Sequence, residues 1–433
     1  MYKNKVITID KALGLVKTND HIVTGLGACE GKIFMENVHL IANNSVSNVT
    51  ITNCLPMSGG QFMDAEYRDY FNIDGWFYCP PMRGAHKNGN ASFVPNHLHL
   101  AGVKRLSHAK PNIYVGVASM PDKHGYVSLS LSNTYERRMI EAADIVILEI
   151  NPNFPRTFGD LEIHVSGVDY FIEADYAPPI IPDSEPSEKD RIISGFITDY
   201  INDGDCLQLG IGSIPNAVAE GLSGKKDLGI HTEMLGSGLM KLAKMGVANG
   251  TRKNYHPNKI VATFVLGTQE LYDFVDDNPS VVIMDGHYVN DPAVIGRNDN
   301  QVSINTTIEI DLTGQCCSES IGHVQFSGTG GQADTVIGAQ KSKGGKSFIA
   351  LHSTAMVRGE DGQRHEVSKI VPMLKPGAIV SLSRNDVDFV VTEYGVAALR
   401  GTNVRERAKR LIDIAHPDFR DDLMKQAREL MFV

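Results

Sequence analysis

The sequence contains no run of about 18 consecutive apolar residues, the length that a helix needs to cross a bilayer. Its first residues, MYKNKVITIDKAL, are polar and amphipathic, which does not fit a secretory signal peptide. Six cysteines are scattered through 433 residues without a CxxC pair, a pattern typical of a reducing compartment. We therefore expect a soluble, cytoplasmic protein.

Basic residues are in deficit, with 41 lysines and arginines against 51 aspartates and glutamates, and the formal net charge is −10. An acidic surface repels nucleic-acid backbones and anionic lipid, so neither partner is expected. An anionic ligand would then need a local basic or helix-N-terminal site. Long low-complexity tracts are also lacking, and a hydrophobic fraction of 42% with 41 glycines is typical of a soluble α/β protein. The chain is long enough for two domains.

The chain repeats one pattern of an acid, a β-rich run and Gly-x-Gly. DHIVTGLGA begins at Asp20, and DCLQLGIGS begins 185 residues later at Asp205. A second similarity pairs the strand-like run that ends at Glu149 with the one that ends at Glu393. Short β-rich runs alternate with helical patterns, which favours βαβ units. We predict an internal duplication into two similar, open, mostly parallel α/β domains, 1–185 and 186–433, with a proline- and charge-rich boundary near 180–190.

Two glycine-rich segments are candidate ligand sites, because ligands of open α/β sheets bind beyond the carboxyl ends of the strands. QLGIGSIPNAVAEGL (208–222) predicts a strand, a tight turn and a helix whose N–H groups attract anions. FSGTGGQAD (326–334) has backbone N–H groups that can converge on an oxyanion or on pantetheine. Tight packing turns without any ligand are the alternative interpretation for both.

Two familiar nucleotide motifs do not fit. Pro215 replaces the third glycine of a dinucleotide fingerprint. GGKS (344–347) is preceded by Gln340 where a P-loop needs glycine, and FIALHS after it predicts a strand instead of a helix. Nucleotide hydrolysis is therefore not expected. His97 and His99 in HLHL lack an evident third metal donor, so we predict exposed or hydrogen-bonded histidines and no metal site.

Glu233 lies in GIHTEMLGSGL (229–239), with no lysine or arginine near it in sequence. It is interpreted either as an acid that interacts with a helix dipole or as a carboxylate nucleophile for an activated carbonyl. Glu393 in VVTEYGVAALRG is the rival candidate. Spacing does not separate these two glutamates.

Five motifs in order, GIHTEM, QLGIGSIPNAV, SGTGGQAD, SKGGKSFIAL and VTEYGVAALRG, resemble the acetyl-CoA hydrolase/transferase branch of the class I CoA-transferases. The resemblance is greatest to 4-hydroxybutyrate and butyrate:acetate CoA-transferases. It implies that Glu233 is the nucleophile of a ping-pong reaction through a glutamyl-CoA thioester. Glu393 would then be a structural acid, and the loop near Met57 would form a wall of the acyl pocket. Thr335 departs from the GGQ-x-D-F pattern of the family.

The resemblance also implies that coenzyme A is a co-substrate. By match to the family, residues expected to contact CoA are Gln208, Gly210, Ile211, Gly212, Ile308, Gly330 and Gly331, with Lys346 or Arg358 at a phosphate. A homodimer or larger homo-oligomer is expected by analogy. The function implied is CoA transfer between acetate and butyryl-CoA or 4-hydroxybutyryl-CoA. The alternatives are an acyl-CoA hydrolase that uses the same glutamate and a noncatalytic CoA-binding regulator.

Overall fold

The structure is a computed structural model that describes residues 2–359 and 361–433. The strands are β1 His21–Thr24, β2 Val49–Asn53, β3 Phe71–Gly75, β4 Ala91–Phe93, β5 Ile113–Ala118, β6 Tyr126–Ser128, β7 Ile145–Ile150, β8 Phe158–Gly159, β9 Glu162–His164, β10 Tyr170–Glu173, β11 Cys206–Leu209, β12 Gly229–His231, β13 Met234–Leu235, β14 Ile260–Ala262, β15 Phe264–Val265, β16 Val281–Ile283, β17 Gln301–Thr306, β18 Glu309–Asp311, β19 Cys316–Cys317, β20 Ser320–Ile321, β21 Val324–Gln325, β22 Lys346–Ala350, β23 Thr354–Arg358, β24 Arg364–Ser368, β25 Ile370–Val371, β26 Phe389–Thr392 and β27 Gly395–Ala398.

The α-helices are α1 Ile9–Leu13, α2 Lys32–Asn37, α3 Pro80–Asn88, α4 Ala101–His108, α5 Glu136–Ala142, α6 Glu188–Thr198, α7 Ser213–Gly221, α8 Ser237–Lys244, α9 Gln269–Val275, α10 Gly286–Val289, α11 Pro292–Ile295, α12 Gln332–Lys341, α13 Val404–Asp413 and α14 Pro417–Glu429. Short 3₁₀ helices cover Lys3–Lys5, Gly27–Cys29, Val38–Asn44, Gln61–Met63, Ala65–Tyr67, Leu98–Leu100 and Val165–Gly167. Among the helices of the described residues, none combines the length and the apolar character of a membrane span.

Two large sheets repeat one topology. The first has the strand order β10-β7-β5-β1-β2-β3-β4, and all its strands are parallel. The second has the order β27-β26-β22-β17-β11-β12-β14-β16-β8 and is parallel except for β27. In the first sheet, β2, β3 and β4 follow on one side of β1, and β5, β7 and β10 then follow on its other side. In the second sheet, β12, β14 and β16 follow on one side of β11, and β17, β22, β26 and β27 then follow on its other side. The switch points lie between β1 and β5 and between β11 and β17, which confirms two similar, mostly parallel α/β domains.

The two sheets share a core. Strands such as β5 and β11 are buried along their whole length, as expected for parallel strands covered on both faces. One cluster of buried apolar side chains joins Val23 and Leu26 of the first half to Leu207 and Ile230 of the second. Strand β8, although it precedes residue 185, pairs with β16 of the second sheet. The halves therefore pack along a continuous apolar interface.

The segment between β10 and α6 contains no helix or strand. Helix α6 begins with a capping box, in which Ser187 and Asp190 each accept a hydrogen bond from the other residue's backbone N–H. The boundary expected after residue 185 falls in this segment and stays a prediction.

The strand-like runs that end at Glu149 and Glu393 do not occupy equivalent positions in the two sheets. Glu149 lies in β7, which is the second strand from β1 on the side that begins with β5. Glu393 follows β26, which is the third strand from β11 on the side that begins with β17. The two glutamates close strands of similar composition because parallel strands buried on both faces use the same apolar residues, although their positions in the fold differ.

Candidate active site

A cavity of about 230 Å³ opens at the switch point between β11 and β17, where the two halves meet. Its walls come from both halves of the chain: Leu26, Cys54, Leu55, Phe77 and Leu98 from the first, and Gln208, Glu233, Asn305 and the loop 327–332 from the second. Parallel strands of one sheet place their carboxyl ends at one edge, so residues far apart in sequence converge there.

Glu233 follows β12 and faces this cavity. Its carboxylate oxygen Oε2 accepts a hydrogen bond from Asn290 Nδ2 at 2.6 Å, and its backbone oxygen accepts from the N–H groups of Thr263 and Phe264. Helix α8 begins after its N-cap Gly236, so Glu233 does not cap that helix. The carboxylate is thus held by the neutral amide of Asn290, and the backbone bonds fix the main chain of Glu233.

The glycine loop lies directly against this carboxylate. Gly331 is the N-cap of α12, and a methyl group at its Cα would overlap both Glu233 Oε2 and Asn290 Nδ2. Gly328 packs closely against Trp76 and Phe77 of the first half. Within the described residues, the backbone N–H groups of 328–331 have no hydrogen-bond acceptor. Donors for a developing oxyanion are therefore available next to the Glu233 carboxylate.

Burial raises the pKa of Glu233 to about 7. The hydrogen bond from Asn290 opposes this shift, and the negative charge of nearby Asp334 adds to it. In the part of the chain that the structure describes, no lysine or arginine forms an ion pair with Glu233. A poorly solvated carboxylate with its pKa near neutrality is suited to nucleophilic or proton-transfer chemistry.

Gln208 lies in β11 and lines the cavity. Its Oε1 accepts hydrogen bonds from Ser303 Oγ at 2.9 Å and from the Ile304 N–H at 3.1 Å. Because the oxygen is engaged in this way, the amide nitrogen is the part of Gln208 that remains for a ligand. Gln208 is thus a fixed hydrogen-bond donor close to Glu233.

Residues 1–182 match the family model described as the acetyl-CoA hydrolase/transferase N-terminal domain, and residues 267–427 match the corresponding C-terminal domain. The chain belongs to the acetyl-CoA hydrolase/transferase family. It is 43% identical to a succinyl-CoA:cyclohexane-1-carboxylate CoA transferase of Geobacter metallireducens, over 99% of this chain and 96% of that protein. It is 42% identical to a 4-hydroxybutyrate coenzyme A transferase of Clostridium kluyveri, over 99% and 98%.

A solved structure has the same fold along the whole chain. The crystal structure of RipA from Yersinia pestis superposes with a TM-score of 0.93 at 34% identity, covering 100% of this chain and 99% of that chain. With relatives this similar along its whole length, the chain is an enzyme of the CoA-transferase class.

Most of the residues expected to contact CoA lie together in this CoA-transferase. Gln208, Gly210, Ile211, Gly330 and Gly331 line the cavity. Gly212 lines an adjoining cavity of about 140 Å³ that shares Gly210 and Ile211 with the first. The two cavities lie side by side along the Gly-x-Gly turn.

Three of the residues expected to contact CoA line neither of these two cavities. Ile308 donates its backbone N–H to Cys317 O. Lys346 begins β22, at the opposite end of the sheet from the cavity, and its Nζ lies 2.6 Å from Tyr200 O and 3.3 Å from Asp205. Arg358 lies on the exposed β23–β24 hairpin and donates to Gly362 O. Sequence order does not show which end of a strand a residue occupies relative to the cavity, so the phosphate contact expected of Lys346 or Arg358 has no support here.

Glu393, the rival glutamate, forms a salt bridge and does not line the cavity. It accepts hydrogen bonds from the backbone and hydroxyl of Ser353, both at 2.9 Å, and Lys189 Nζ lies 2.9 Å away. Burial alone would raise the pKa of Glu393, yet these hydrogen bonds outweigh it and lower the pKa. Glu393 is an ion-paired structural acid.

The sequence interpretation did not identify Asn290 as the partner of Glu233 or Asp334 as the partner of His99. Asn290 ends the short helix α10 in the turn sequence NDP, and no local pattern connects it with Glu233. His99 Nδ1 lies 2.7 Å from Asp334 Oδ1, so this histidine is hydrogen-bonded, as expected. Among the described residues, no group of three or more histidine, cysteine, aspartate or glutamate side chains is arranged to hold a metal ion.

The raised pKa of Glu233 predicts a stability effect that does not depend on catalysis. A carboxyl group with a folded pKa of about 7 and an ordinary value of 4.5 makes stability fall as the pH rises between these values. We therefore expect Glu233→Gln to increase the free energy of unfolding at pH 8 by about 2 to 3 kcal/mol and to leave it nearly unchanged at pH 4.5. Urea denaturation at both pH values measures this.

The matched control is Glu393→Gln. Because the pKa of Glu393 is lowered, its charged form stabilises the fold above its unfolded pKa, and the substitution should lower the free energy of unfolding at pH 8. If both substitutions lower the free energy of unfolding equally at pH 8, the raised pKa of Glu233 is contradicted.

Proposed function

We propose that this enzyme moves CoA between short-chain acyl-CoA and free carboxylates, with Glu233 as the nucleophile. Acetate with butyryl-CoA or 4-hydroxybutyryl-CoA is the expected substrate pair. The observation that carries the proposal is the Glu233 carboxylate in a cavity shared by both halves. Among the residues that the structure describes, it has no basic partner, and it lies against a glycine loop whose N–H groups have no acceptor.

In the first half-reaction, a Glu233 carboxylate oxygen attacks the thioester carbonyl carbon of acyl-CoA. The C–S bond breaks, and an acyl-glutamyl anhydride and CoA thiolate form. The thiolate then attacks the Glu233 carbonyl carbon of the anhydride and releases the acyl group as a free carboxylate. The enzyme now carries a glutamyl-CoA thioester.

In the second half-reaction, the acceptor carboxylate attacks the Glu233 carbonyl of this thioester and expels CoA thiolate. The thiolate attacks the acceptor carbonyl of the new anhydride, which forms the product acyl-CoA and restores the Glu233 carboxylate. One thioester replaces another without net proton transfer, so the reaction needs no ATP.

Every step passes through a tetrahedral oxyanion, and the site offers fixed donors for it. These are the free N–H groups of 328–331 and the amide nitrogen of Gln208. One such donor typically contributes about 3 kcal/mol to the transition state. The adjacent cavities along Gly210, Ile211 and Gly212 provide room for the pantetheine arm of CoA, whose binding energy can be directed to the reacting atoms. We also expect a homo-oligomer in the cytoplasm, by analogy with soluble metabolic enzymes.

An acceptor panel tests the substrate class. Apart from Glu233, the residues that line the cavity are uncharged, and among those described none is a lysine, arginine or histidine. A second carboxylate on the substrate would be buried without a counter-ion and close to acids, which costs several kcal/mol. With butyryl-CoA as donor, we expect acetate and 4-hydroxybutyrate to be accepted with a kcat/KM at least about 10-fold above that of succinate.

The same panel includes a reaction without any acceptor. Release of CoA thiol from butyryl-CoA at a rate comparable to that with acetate would favour the hydrolase, in which water opens the glutamyl thioester. A preference for succinate over acetate would contradict the proposed substrate class, and it would be informative because one relative is named for succinyl-CoA.

A further inference from the structure

The HLHL segment, residues 97–100, belongs to the first half of the chain and contacts the second half. The Leu98 N–H donates to Gly330 O at 3.0 Å. The His99 N–H donates to Asp334 Oδ2 at 3.1 Å, and His99 Nδ1 lies 2.7 Å from Asp334 Oδ1. His287 Nδ1 lies 2.8 Å from His99 O. Two consecutive residues therefore make four hydrogen bonds to the second half.

These bonds reach the two elements that touch Glu233. Gly330 directly precedes Gly331, and Asp334 lies in the first turn of α12, which Gly331 caps. His287 lies in α10, and Asn290, the residue after that helix, donates to Glu233 Oε2. The segment thus connects the glycine loop and the Asn290 helix on either side of the nucleophile.

The His99–Asp334 pair is largely shielded from solvent, with side-chain exposures of 16% and 2%. A buried carboxylate that loses its donor is costly, so Asp334 would move or draw in water if His99 were removed. The other titratable groups around the pair are His97 and His287, whose rings stack on His99 at 6.2 and 6.1 Å, and Glu233 beyond Asp334. Asp285, before α10, is paired with Arg138.

We infer that His99 is a positioning residue: through Asp334 and His287 it sets the spacing between the glycine loop and Asn290 and so aligns the Glu233 carboxylate for attack. This inference rests on the proposed function. It assigns a role to His99, which does not line the cavity and does not contact Glu233 directly. The orienting atom is Nδ1, which must carry its hydrogen to donate to the carboxylate.

Three substitutions of His99 distinguish a role in aligning Glu233 from a role in packing. Asparagine places its amide nitrogen near the position of His Nδ1, glutamine places it near Nε2, and alanine supplies no donor. We expect His99→Ala to lower kcat by about 10²-fold, in line with the cost of a small misplacement, while KM for butyryl-CoA changes by less than about 3-fold. His99→Asn should recover kcat to within about 5-fold of the wild type, and His99→Gln should not.

The control is His97→Ala, which removes the neighbouring ring but keeps the backbone bonds of the segment; we expect its kcat to stay within about 2-fold of wild type. Asp334→Asn provides a readout that packing does not affect. It keeps one of the two oxygen acceptors of His99 but removes the Asp334 charge, which adds to the rise in the pKa of Glu233 that burial causes, so the acid limb of the kcat–pH profile should move to lower pH. This variant also keeps the test decisive if His99→Ala does not fold.

The decisive measurement is the rate at which Glu233 acquires its CoA adduct in a single turnover, followed by mass spectrometry. If the wild type forms the adduct and His99→Ala forms it equally fast, the inference is wrong and the proposed function stands. Equal rescue by asparagine and glutamine, or an unmoved acid limb in Asp334→Asn, also overturns the inference. If the wild type forms no adduct, the proposed function fails and the inference fails with it.

Discussion

Glu233→Gln is expected to lower kcat for transfer from butyryl-CoA to acetate by at least about 10⁴-fold, a loss typical of removing a covalent nucleophile. Glutamine keeps nearly the same shape, and its amide oxygen can still accept the hydrogen bond from Asn290, so the cavity should be preserved. An amide, however, does not attack a thioester. Activity is measured as acyl exchange with purified enzyme, under the same conditions for wild type and variant.

The covalent step has its own readout. Wild-type enzyme incubated with butyryl-CoA should carry a mass increment on the peptide that contains residue 233, and borohydride or hydroxylamine should convert that thioester to a stable derivative. The variant should carry none. Glu393→Gln is the control, because Glu393 is bound to Lys189 and Ser353 outside the cavity, and it should keep both the adduct and most of the activity. Full exchange activity in Glu233→Gln together with its loss in Glu393→Gln would show that the nucleophile is misassigned.

Gly331→Ala is expected to have the second-largest effect, a fall in kcat of about 10³-fold. The added methyl group would occupy the space of Glu233 Oε2 and Asn290 Nδ2, so the carboxylate must move away from the loop N–H groups or the loop must move away from the carboxylate. Either shift separates the nucleophile from its oxyanion donors. Single-turnover adduct formation should slow in parallel with steady-state transfer, because both require the same alignment.

The matched control for this substitution is Gly195→Ala. Gly195 lies inside α6, and a methyl group there meets nothing within 4 Å. Alanine is preferred over glycine in a helix interior by about 1 kcal/mol, so this variant should be slightly more stable and fully active. If Gly331→Ala keeps more than half of the wild-type kcat, the contact between loop and carboxylate is not needed for the reaction.

Several features of the site could be predicted from the sequence because their signals are local. The two Gly-x-Gly turns indicated the duplication, and the sheets repeat the same switch in strand order. The residues before and within the second turn, Gln208, Gly210 and Ile211, line the cavity together with Gly330 and Gly331. A strand followed by a glycine turn ends at the edge of a parallel sheet where ligands bind, so local pattern and location agree.

Other features depended on contacts in the folded chain, which the spacing of residues in the sequence does not reveal. Whether Glu233 interacts with the following helix or faces a cavity was open, and the structure shows that α8 begins after Gly236 while the neighbouring donor is Asn290. Lys346 was expected near a phosphate by match to the family. It begins a strand, and the beginnings of parallel strands lie at the edge away from the cavity.

The sequence by itself determined the α/β class, the duplication and the short list of glycines and glutamates that could carry chemistry, because hydrophobic period and turn chemistry are properties of adjacent residues. Only the tertiary structure decided which of these meet. Asn290 lies 57 residues from Glu233, and His99 lies 235 residues from Asp334. Such contacts arise from the order of strands in the sheets and from the packing of one half on the other, which depend on the free energy of the whole fold rather than on local patterns.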